Sequence, residues 1–209
     1  MGLPPDLRRA SAWEPGLVGG IAALHARQYA ESHGFGPAFE AKVAHDLGGF
    51  LARLDPARGD HFAALLDAAT GEARASVALD ATEPGLPDGV GHLRWFILSP
   101  ALRGRGLGRA LLGGALDAAR AAGLHRVFLW TLDGLPAAAH LYGQAGFAET
   151  ERLDAGSQWG RPTVELRMDL ALRGAAARER PLAAGPGPCP QPGDDSRRAK
   201  PSTRDATAR

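Results

Sequence analysis

The chain has 209 residues, 22% of them charged and 44% hydrophobic, and a formal net charge of +1. This length suffices for one well-buried domain, and the sequence contains no run of about 18 apolar residues that could span a membrane. The single cysteine, Cys189, excludes an internal disulfide and a multi-cysteine metal site. Because the N-terminus also lacks the apolar core of a secretory signal, we expect a cytoplasmic protein.

Charge and composition change near residue 173. Residues 174–209 contain seven Lys and Arg, four Asp and Glu, many Pro and Gly, and no aromatic residue. Such a segment cannot bury enough apolar surface to offset its ordering entropy, so we predict a disordered tail after a domain over residues 1–173. That domain keeps 17 of the 24 basic and 19 of the 23 acidic side chains. Its slightly acidic balance argues against nucleic-acid binding.

Two helices are predicted at the N-terminal end. Apolar residues from Leu17 to Tyr29 recur at spacings of three and four, and Gly34 ends this pattern. Pro37 begins a second helix that ends before Pro56. The apolar face of the second helix consists of Phe39, Val43, Leu47, Phe50, Leu51 and Leu54.

The remainder of the domain mixes strands and helices. Residues 61–67 and 74–80 alternate like an antiparallel strand pair, an acidic Pro/Gly-rich loop covers 83–89, and 90–98 is a strand that ends at Ser99-Pro100. The elements predicted after it are a helix over 106–122, a strand over 126–131, a helix over 136–145, and strands over 147–153 and 163–170. This order predicts an α+β protein with one strand–helix–strand crossover.

A glycine-rich segment, Arg103-Gly104-Arg105-Gly106-Leu107-Gly108, connects the strand over 90–98 to the long helix. The start of a helix offers unpaired N–H groups and the positive end of a dipole, and glycines let an anion approach them. Arginines at 103, 105 and 109 add cationic donors that suit phosphate. The segment lacks the Gly-Lys-Ser/Thr of a P-loop, and an arginine occupies the place of the third glycine in a dinucleotide fingerprint. The alternative is a tight strand–helix turn without a ligand.

These residues resemble the signature of the GNAT N-acetyltransferase superfamily. The stretch from Leu98 to Leu112 contains its Arg-x-x-Gly-x-Gly pattern, and His140-Leu-Tyr-Gly-Gln-Ala-Gly-Phe147 resembles its Leu-Tyr-x-x-x-Gly-Phe segment. The resemblance covers about 60–172, and residues 16–56 are loosely similar to the acetyltransferase half of bacterial winged-helix/GNAT fusion proteins. It implies the GNAT fold, a mixed and mostly antiparallel sheet flanked by helices, with a splayed central strand pair.

The resemblance also implies acetyl-CoA as co-substrate. The N–H groups of Arg103, Gly104, Arg105, Gly106, Leu107 and Gly108 would hold its pyrophosphate. The backbone of Phe96, Ile97 and Leu98 would pair with the pantetheine amides like an added strand. For Arg109 the resemblance leaves two interpretations open, a contact to a CoA phosphate or a solvated helix charge.

Acetyl transfer needs a neutral amine, a polarised carbonyl and a stabilised leaving thiolate. Tyr142 occupies the family's tyrosine position and is the candidate general acid; the alternative is a tyrosine that only packs the last helix. His92 lies eleven residues before Arg103, where histone-type relatives have a glutamate. His92 could relay a proton from the amine. The alternative is that His92 is a packing or surface residue and that water deprotonates the amine. Because Cys189 lies in the tail, direct attack in a ternary complex is favoured over an acyl-enzyme.

The predicted function is therefore acetyl transfer to a primary amine of a small molecule or peptide, and the acceptor is unnamed. We expect its pocket to be formed by the loops over 31–37, 83–89 and 154–162. Tyr29, Glu31 and Phe35 are candidate border residues; the alternative is that they are helix-packing residues and a solvated carboxylate. The seven histidines form no paired cluster, so no metal is predicted. The rival hypothesis is a non-catalytic acyl-CoA-binding or protein-interaction module. A homodimer is left open.

Overall fold

The computed structural model of the protein describes residues 2–172. The tail predicted over 174–209 lies outside these residues. The helices and strands of the described part follow one another as β1 (Leu7–Ala10), α1 (Leu17–His33), α2 (Pro37–Arg53), β2 (His61–Asp67), β3 (Ala73–Asp80), β4 (Val90–Leu98), α3 (Leu107–Ala121), β5 (Arg126–Leu132), α4 (Pro136–Ala145), β6 (Ala148–Asp154) and β7 (Val164–Ala171).

The strands form a single sheet in the order β1-β2-β3-β4-β5-β7-β6. Neighbours are antiparallel except β4 and β5, which are joined through the crossover helix α3 and run parallel. This confirms the mixed, mostly antiparallel fold. The sequence did not predict β1, because its four residues include two arginines and no β-branched or aromatic side chain. Pairing with β2, from Leu7 opposite Asp67 to Ala10 opposite Ala64, holds β1 in place.

Helices α1 and α2 cover one face of the sheet. Gly34 ends α1 in a left-handed conformation, and Pro37 starts α2 at its first turn. The predicted apolar face of α2 is confirmed, since Leu47, Phe50 and Leu51 are buried against β2 and β3. Each such side chain contributes about 1.5–3 kcal/mol of hydrophobic stabilisation.

Helices α3 and α4 cover the opposite face. The side of α3 that carries Leu107, Leu111 and Ala115 is buried against the sheet, together with Tyr142 and Phe147 from the region of α4. The sheet is thus the middle of three layers. Within residues 2–172, none of the helices combines the length and the apolar character that a membrane crossing requires.

The central strands separate after a short stretch of pairing. β4 pairs with β5 only from Val90 to Leu93, whereas β5 continues along β7 as far as Leu132. A bulge interrupts the pairing of β4 with β3, and at its centre Trp95 has a φ of 46°, a left-handed value that is strained for a large side chain. The Ser76 hydroxyl donates to the Trp95 carbonyl oxygen over 2.6 Å and holds the bulge. The predicted splayed strand pair is confirmed, and it opens a wedge between β4 and β5.

Candidate active site

The glycine-rich segment forms an exposed loop at the start of α3. Gly104 and Gly106 have φ values of 73° and 75°, a region that only glycine enters without strain. The Arg103 N–H donates to the Pro100 carbonyl oxygen. The next backbone N–H along the chain that donates a hydrogen bond is that of Ala110, to the Gly106 carbonyl oxygen. Between them, the N–H groups of residues 104–109 have no hydrogen-bond partner among the described residues. Six free donors at a helix start can hold an anion.

The three arginines of this region are exposed, and two of them are tied to other helices. The Arg109 Nη2 donates to Gln144 Oε1 on α4 over 2.9 Å. On α1, the Gln28 amide is oriented so that its nitrogen faces the Leu98 carbonyl oxygen and its oxygen accepts a hydrogen bond from Arg103 Nη2 at 3.1 Å. Arg105 adds a third guanidinium within the loop itself. The loop is therefore surrounded by positive charge on a frame supplied by α1 and α4.

The edge of β4 that faces the wedge provides further backbone groups. The Gln28 amide nitrogen lies 3.3 Å from the Leu98 carbonyl oxygen. On the other side, the Ser99 N–H donates to a β3 carbonyl oxygen at 2.8 Å. Since backbone groups alternate sides along an antiparallel strand, those of Phe96 and Leu98 face the wedge and those of Ile97 face β3.

A cavity of about 270 Å³ begins at the wedge and extends beneath α1 and α2. Its lining includes both groups proposed from the sequence for chemistry, His92 and Tyr142. Aromatic side chains form much of the remaining wall, namely Tyr29, Phe35, Phe39, Trp95, Trp130 and Trp159. The cavity is thus a mostly apolar chamber with a few polar groups, the usual character of a small-molecule site.

Tyr142 is 5% exposed and projects from α4 toward β4. Its ring centroid lies 6.0 Å from that of Phe96 and 5.9 Å from that of Phe147. Burial raises the pKa of the phenol, and the nearby Tyr29 adds to this effect. Within residues 2–172, no hydrogen bond is among the causes of this pKa shift. Tyr142 is therefore a protonated donor that lines the cavity.

His92 forms a buried pair with Glu83. The His92 Nδ1 lies 2.6 Å from Glu83 Oε2, and the imidazole stacks on Phe128 with centroids 4.3 Å apart. Burial lowers the pKa of His92, although the hydrogen bond and charge of Glu83 oppose this change. Burial alone would raise the pKa of Glu83, but the contacts to His92 and Arg94 lower it overall. Near neutral pH the pair thus consists of a neutral imidazole and an ionised carboxylate, in which Nδ1–H donates to Glu83.

Arg94 organises the charges beside this pair. Its guanidinium lies over the Trp95 ring at 4.3 Å and donates to Asp46 over 2.9 Å. It also lies 3.5 Å from a Glu83 oxygen and 3.8 Å from Asp80. Because Arg94 serves three carboxylates, little of its donor capacity is left for a ligand.

The far end of the cavity is closed by the loop between β6 and β7. Trp159 packs in a cluster with Phe35 and Leu132, and its carbonyl oxygen accepts from the Gly36 N–H at 2.8 Å. Its indole Nε1 donates to Glu165 Oε1 at 3.2 Å. All three loops expected to form the acceptor pocket thus contribute a lining residue, Phe35, Glu83 and Trp159.

Some candidates lie elsewhere, and some lining residues were missed. Glu31 is exposed and does not line the cavity. Glu83 and Glu165 had no distinguishing sequence signal, because they join the site only through folding. Among the described residues, no group of three or more His, Cys, Asp and Glu side chains is arranged to hold a metal ion.

Comparison with known proteins agrees with this geometry. The sequence model of the acetyltransferase (GNAT) family matches residues 21–147. None of the curated proteins matches the chain significantly in sequence.

Solved acetyltransferase structures share the fold. A GNAT-family acetyltransferase from Streptococcus pneumoniae is 21% identical with a TM-score of 0.60, and the match covers 79% of this chain and 99% of that one. The yncA protein of Salmonella typhimurium, a putative acetyltransferase solved with acetyl-CoA, is 20% identical with a TM-score of 0.62. That match covers 83% of this chain and 98% of yncA. A ribosomal-protein-alanine N-acetyltransferase from Brucella melitensis is 18% identical with a TM-score of 0.60, and the match covers 79% of this chain and 99% of that one.

Proposed function

Since the chain belongs to the acetyltransferase (GNAT) family and is an acetyl-CoA-dependent acyltransferase, we propose that it acetylates a primary amine of a small molecule or peptide by direct attack in a ternary complex. One observation carries this proposal. A single cavity, which opens at the wedge between β4 and β5, is lined by the buried His92–Glu83 pair and by the Tyr142 phenol. A base and an acid therefore face the same space, as transfer between two bound substrates requires.

The donor side would be held mainly by backbone. The six free N–H groups of residues 104–109 fit a pyrophosphate, and Arg103, Arg105 and Arg109 would balance its charge. Along β4, the alternation of backbone groups favours Phe96 and Leu98 over Ile97 for pairing with pantetheine amides. Acetyl-CoA, when bound, supplies a thioester carbonyl carbon as the electrophile.

His92 would act as the general base. An alkyl amine is protonated in neutral water, so it must lose a proton before its nitrogen can attack. With Nδ1–H donating to Glu83, the Nε2 of His92 carries a lone pair that can accept this proton. Glu83 would then stabilise the imidazolium and keep the ring oriented.

Tyr142 would act as the general acid. As the new C–N bond forms, the C–S bond breaks and the sulfur needs a proton. The buried phenol keeps its proton near neutral pH, so it can donate to sulfur. As the amide forms, the nitrogen loses a second proton, which restores the Tyr142 phenol. His92 releases the first proton to solvent, so the products are the amide, the CoA thiol and one proton.

The test combines cofactor binding with turnover. Calorimetry of the full chain should detect acetyl-CoA binding, and a panel of amines should release CoA. Tyr142→Phe should lower kcat at least about tenfold while the acetyl-CoA affinity stays within twofold. Tight acetyl-CoA binding without turnover of any amine would favour a non-catalytic binding module, and absence of binding would refute the assignment.

A further inference from the structure

Glu165 on β7 is a carboxylate at the far end of the cavity. It accepts hydrogen bonds from Trp159 Nε1 at 3.2 Å and from Gln158 Nε2 at 3.3 Å, and both donors are neutral. The nearest arginine along the same strand face, Arg167, donates to Asp169 over 2.9 Å instead. Within residues 2–172, no Lys, Arg or His lies within ion-pair distance of Glu165.

The other charges that line the cavity are paired among themselves. Asp46 binds both Lys42 and Arg94 at 2.9 Å, and Glu83 binds His92. The two lining histidines are neutral near pH 7, since burial lowers the pKa of His25 to about 4 and also lowers that of His92. The lining thus contains two cations and three carboxylates, and the unbalanced negative charge is at Glu165.

An aromatic cluster adjoins this unbalanced charge through Trp159, whose indole donates to Glu165. Phe39 and Trp159 meet edge to face with centroids 5.6 Å apart, and Phe35 lies 4.9 Å from Phe39. Tyr29 stacks on Phe35 with centroids 5.5 Å apart, so this cluster of rings forms part of the cavity wall beside Trp159. A carboxylate beside aromatic faces attracts an ammonium or guanidinium group through ion pairing and cation–π contacts.

The strand register separates Glu165 from the candidate base. Glu165 pairs with Leu132 on β5, whereas His92 stacks on Phe128 of the same strand. Four residues of strand correspond to about 13 Å along β5. One acceptor molecule with polar groups at both ends, joined by several methylene groups, could therefore reach Glu165 and His92 together.

We propose that the amine acceptor carries a second, cationic group, bound by Glu165 and the surrounding rings, and that an aliphatic diamine is the simplest acceptor of this class. The proposal rests on the proposed acetyltransferase function. It argues against acceptors with a carboxylate at that end, because Lys42 and Arg94 are already engaged.

The experiment compares acceptors that differ only in the remote group. Pentylamine, 1,5-diaminopentane and 5-aminopentanoate present the same reactive amine with a neutral, cationic or anionic far end, and longer diamines test the spacing. In the wild-type enzyme we expect kcat/KM for a diamine of optimal length to exceed that for its monoamine by about 10- to 100-fold, mainly through KM. The amino acid should be the poorest of the three.

Substitution assigns the preference to its residue. Glu165→Gln keeps the shape and one hydrogen-bond acceptor but removes the charge, so the ratio of diamine to monoamine should fall toward one. Glu151→Gln removes a carboxylate that is exposed on β6 and should preserve the ratio. Unchanged thermal unfolding of both variants would show that the fold is intact.

The outcomes separate this inference from the proposed function. A wild-type enzyme that treats diamine and monoamine alike, or a Glu165→Gln variant that keeps the preference, overturns the inference while acetyl transfer stands. If acetyl-CoA binds but no amine is acetylated, calorimetry with the diamine tests the cation site separately from catalysis. Binding that Glu165→Gln abolishes supports the cation site, and absence of binding to the wild type overturns it.

Discussion

The two ends of this active site are built in different ways. The proposed donor end is a continuous loop, residues 103–109, in which backbone N–H groups would provide the binding capacity and glycines keep them accessible. The acceptor end is made of side chains from α1, α2, β4, β5, β7 and three loops, and its charges balance one another except at Glu165. A backbone site can tolerate many side-chain changes outside its glycines, whereas a side-chain site changes with each residue. The following predictions test this contrast.

The largest effect is expected at the acceptor end, from His92→Ala. Loss of the base should lower kcat about 100-fold or more with little change in acetyl-CoA affinity. Steady-state CoA release and calorimetry measure the two quantities. His45→Ala, on the exposed side of α2, is the matched control and should be near wild type. A loss of less than threefold for His92→Ala would mean that water alone deprotonates the amine.

At the donor end, Gly106→Val should weaken acetyl-CoA binding at least about tenfold. The left-handed backbone at Gly106 costs a residue with a Cβ about 1–2 kcal/mol, and the new side chain would stand beside the free N–H groups. Gly113→Ala in α3, where an added Cβ meets no atom within 4 Å, is the control and should bind normally. Equal binding by both variants would contradict a backbone-built donor site.

The pH dependence of kcat/KM reports on the His92–Glu83 pair. Glu83 raises the pKa of His92 against the effect of burial, so Glu83→Gln should lower this pKa further. Activity that requires neutral His92 falls as pH decreases through its pKa, and the acid limb should therefore shift to lower pH in the variant. The weaker base should also lower kcat roughly tenfold. An acid limb that stays in place would exclude His92 as the titrating group.

The smallest effect is expected where the two ends meet. Gln28 contacts both Arg103 and the Leu98 carbonyl oxygen from α1. Loss of these hydrogen bonds in Gln28→Ala should weaken acetyl-CoA binding about fivefold or less. Ser32→Ala, one turn further along α1, serves as the comparison in the same calorimetric titration. A loss as large as that of Gly106→Val would show that the donor end depends on side chains as well.

The same contrast explains what could be predicted from the sequence. The glycine-rich loop over 103–108 can be predicted from the sequence because its glycines and the start of α3 are adjacent in the chain. The strands β2 and β4 were found because apolar alternation and aromatic or branched residues are local properties. The residue His92 was a candidate through its spacing from Arg103.

The partners of the acceptor end could not be found in this way. Glu83 lies in a Pro/Gly-rich loop, and Glu165 in a strand of ordinary alternation. Their neighbours His92 and Trp159 are set by strand register and loop folding, which no local pattern encodes. The position of Trp95 is likewise not encoded by a local pattern, since its ring centroid lies 5.4 Å from that of Phe50 and the residue also lines the cavity.

The bulge at Trp95 limits the stability that this protein can reach. Its left-handed backbone carries a cost of about 1–3 kcal/mol, which the Ser76 hydrogen bond and the packing of the indole offset. A glycine at this position would relax the chain, but it would remove the ring under Arg94 and loosen the wedge at which we propose that the two substrates meet. Selection for thermal resistance alone would therefore favour changes here that make a poorer enzyme, and a stabilising programme should leave β4 untouched.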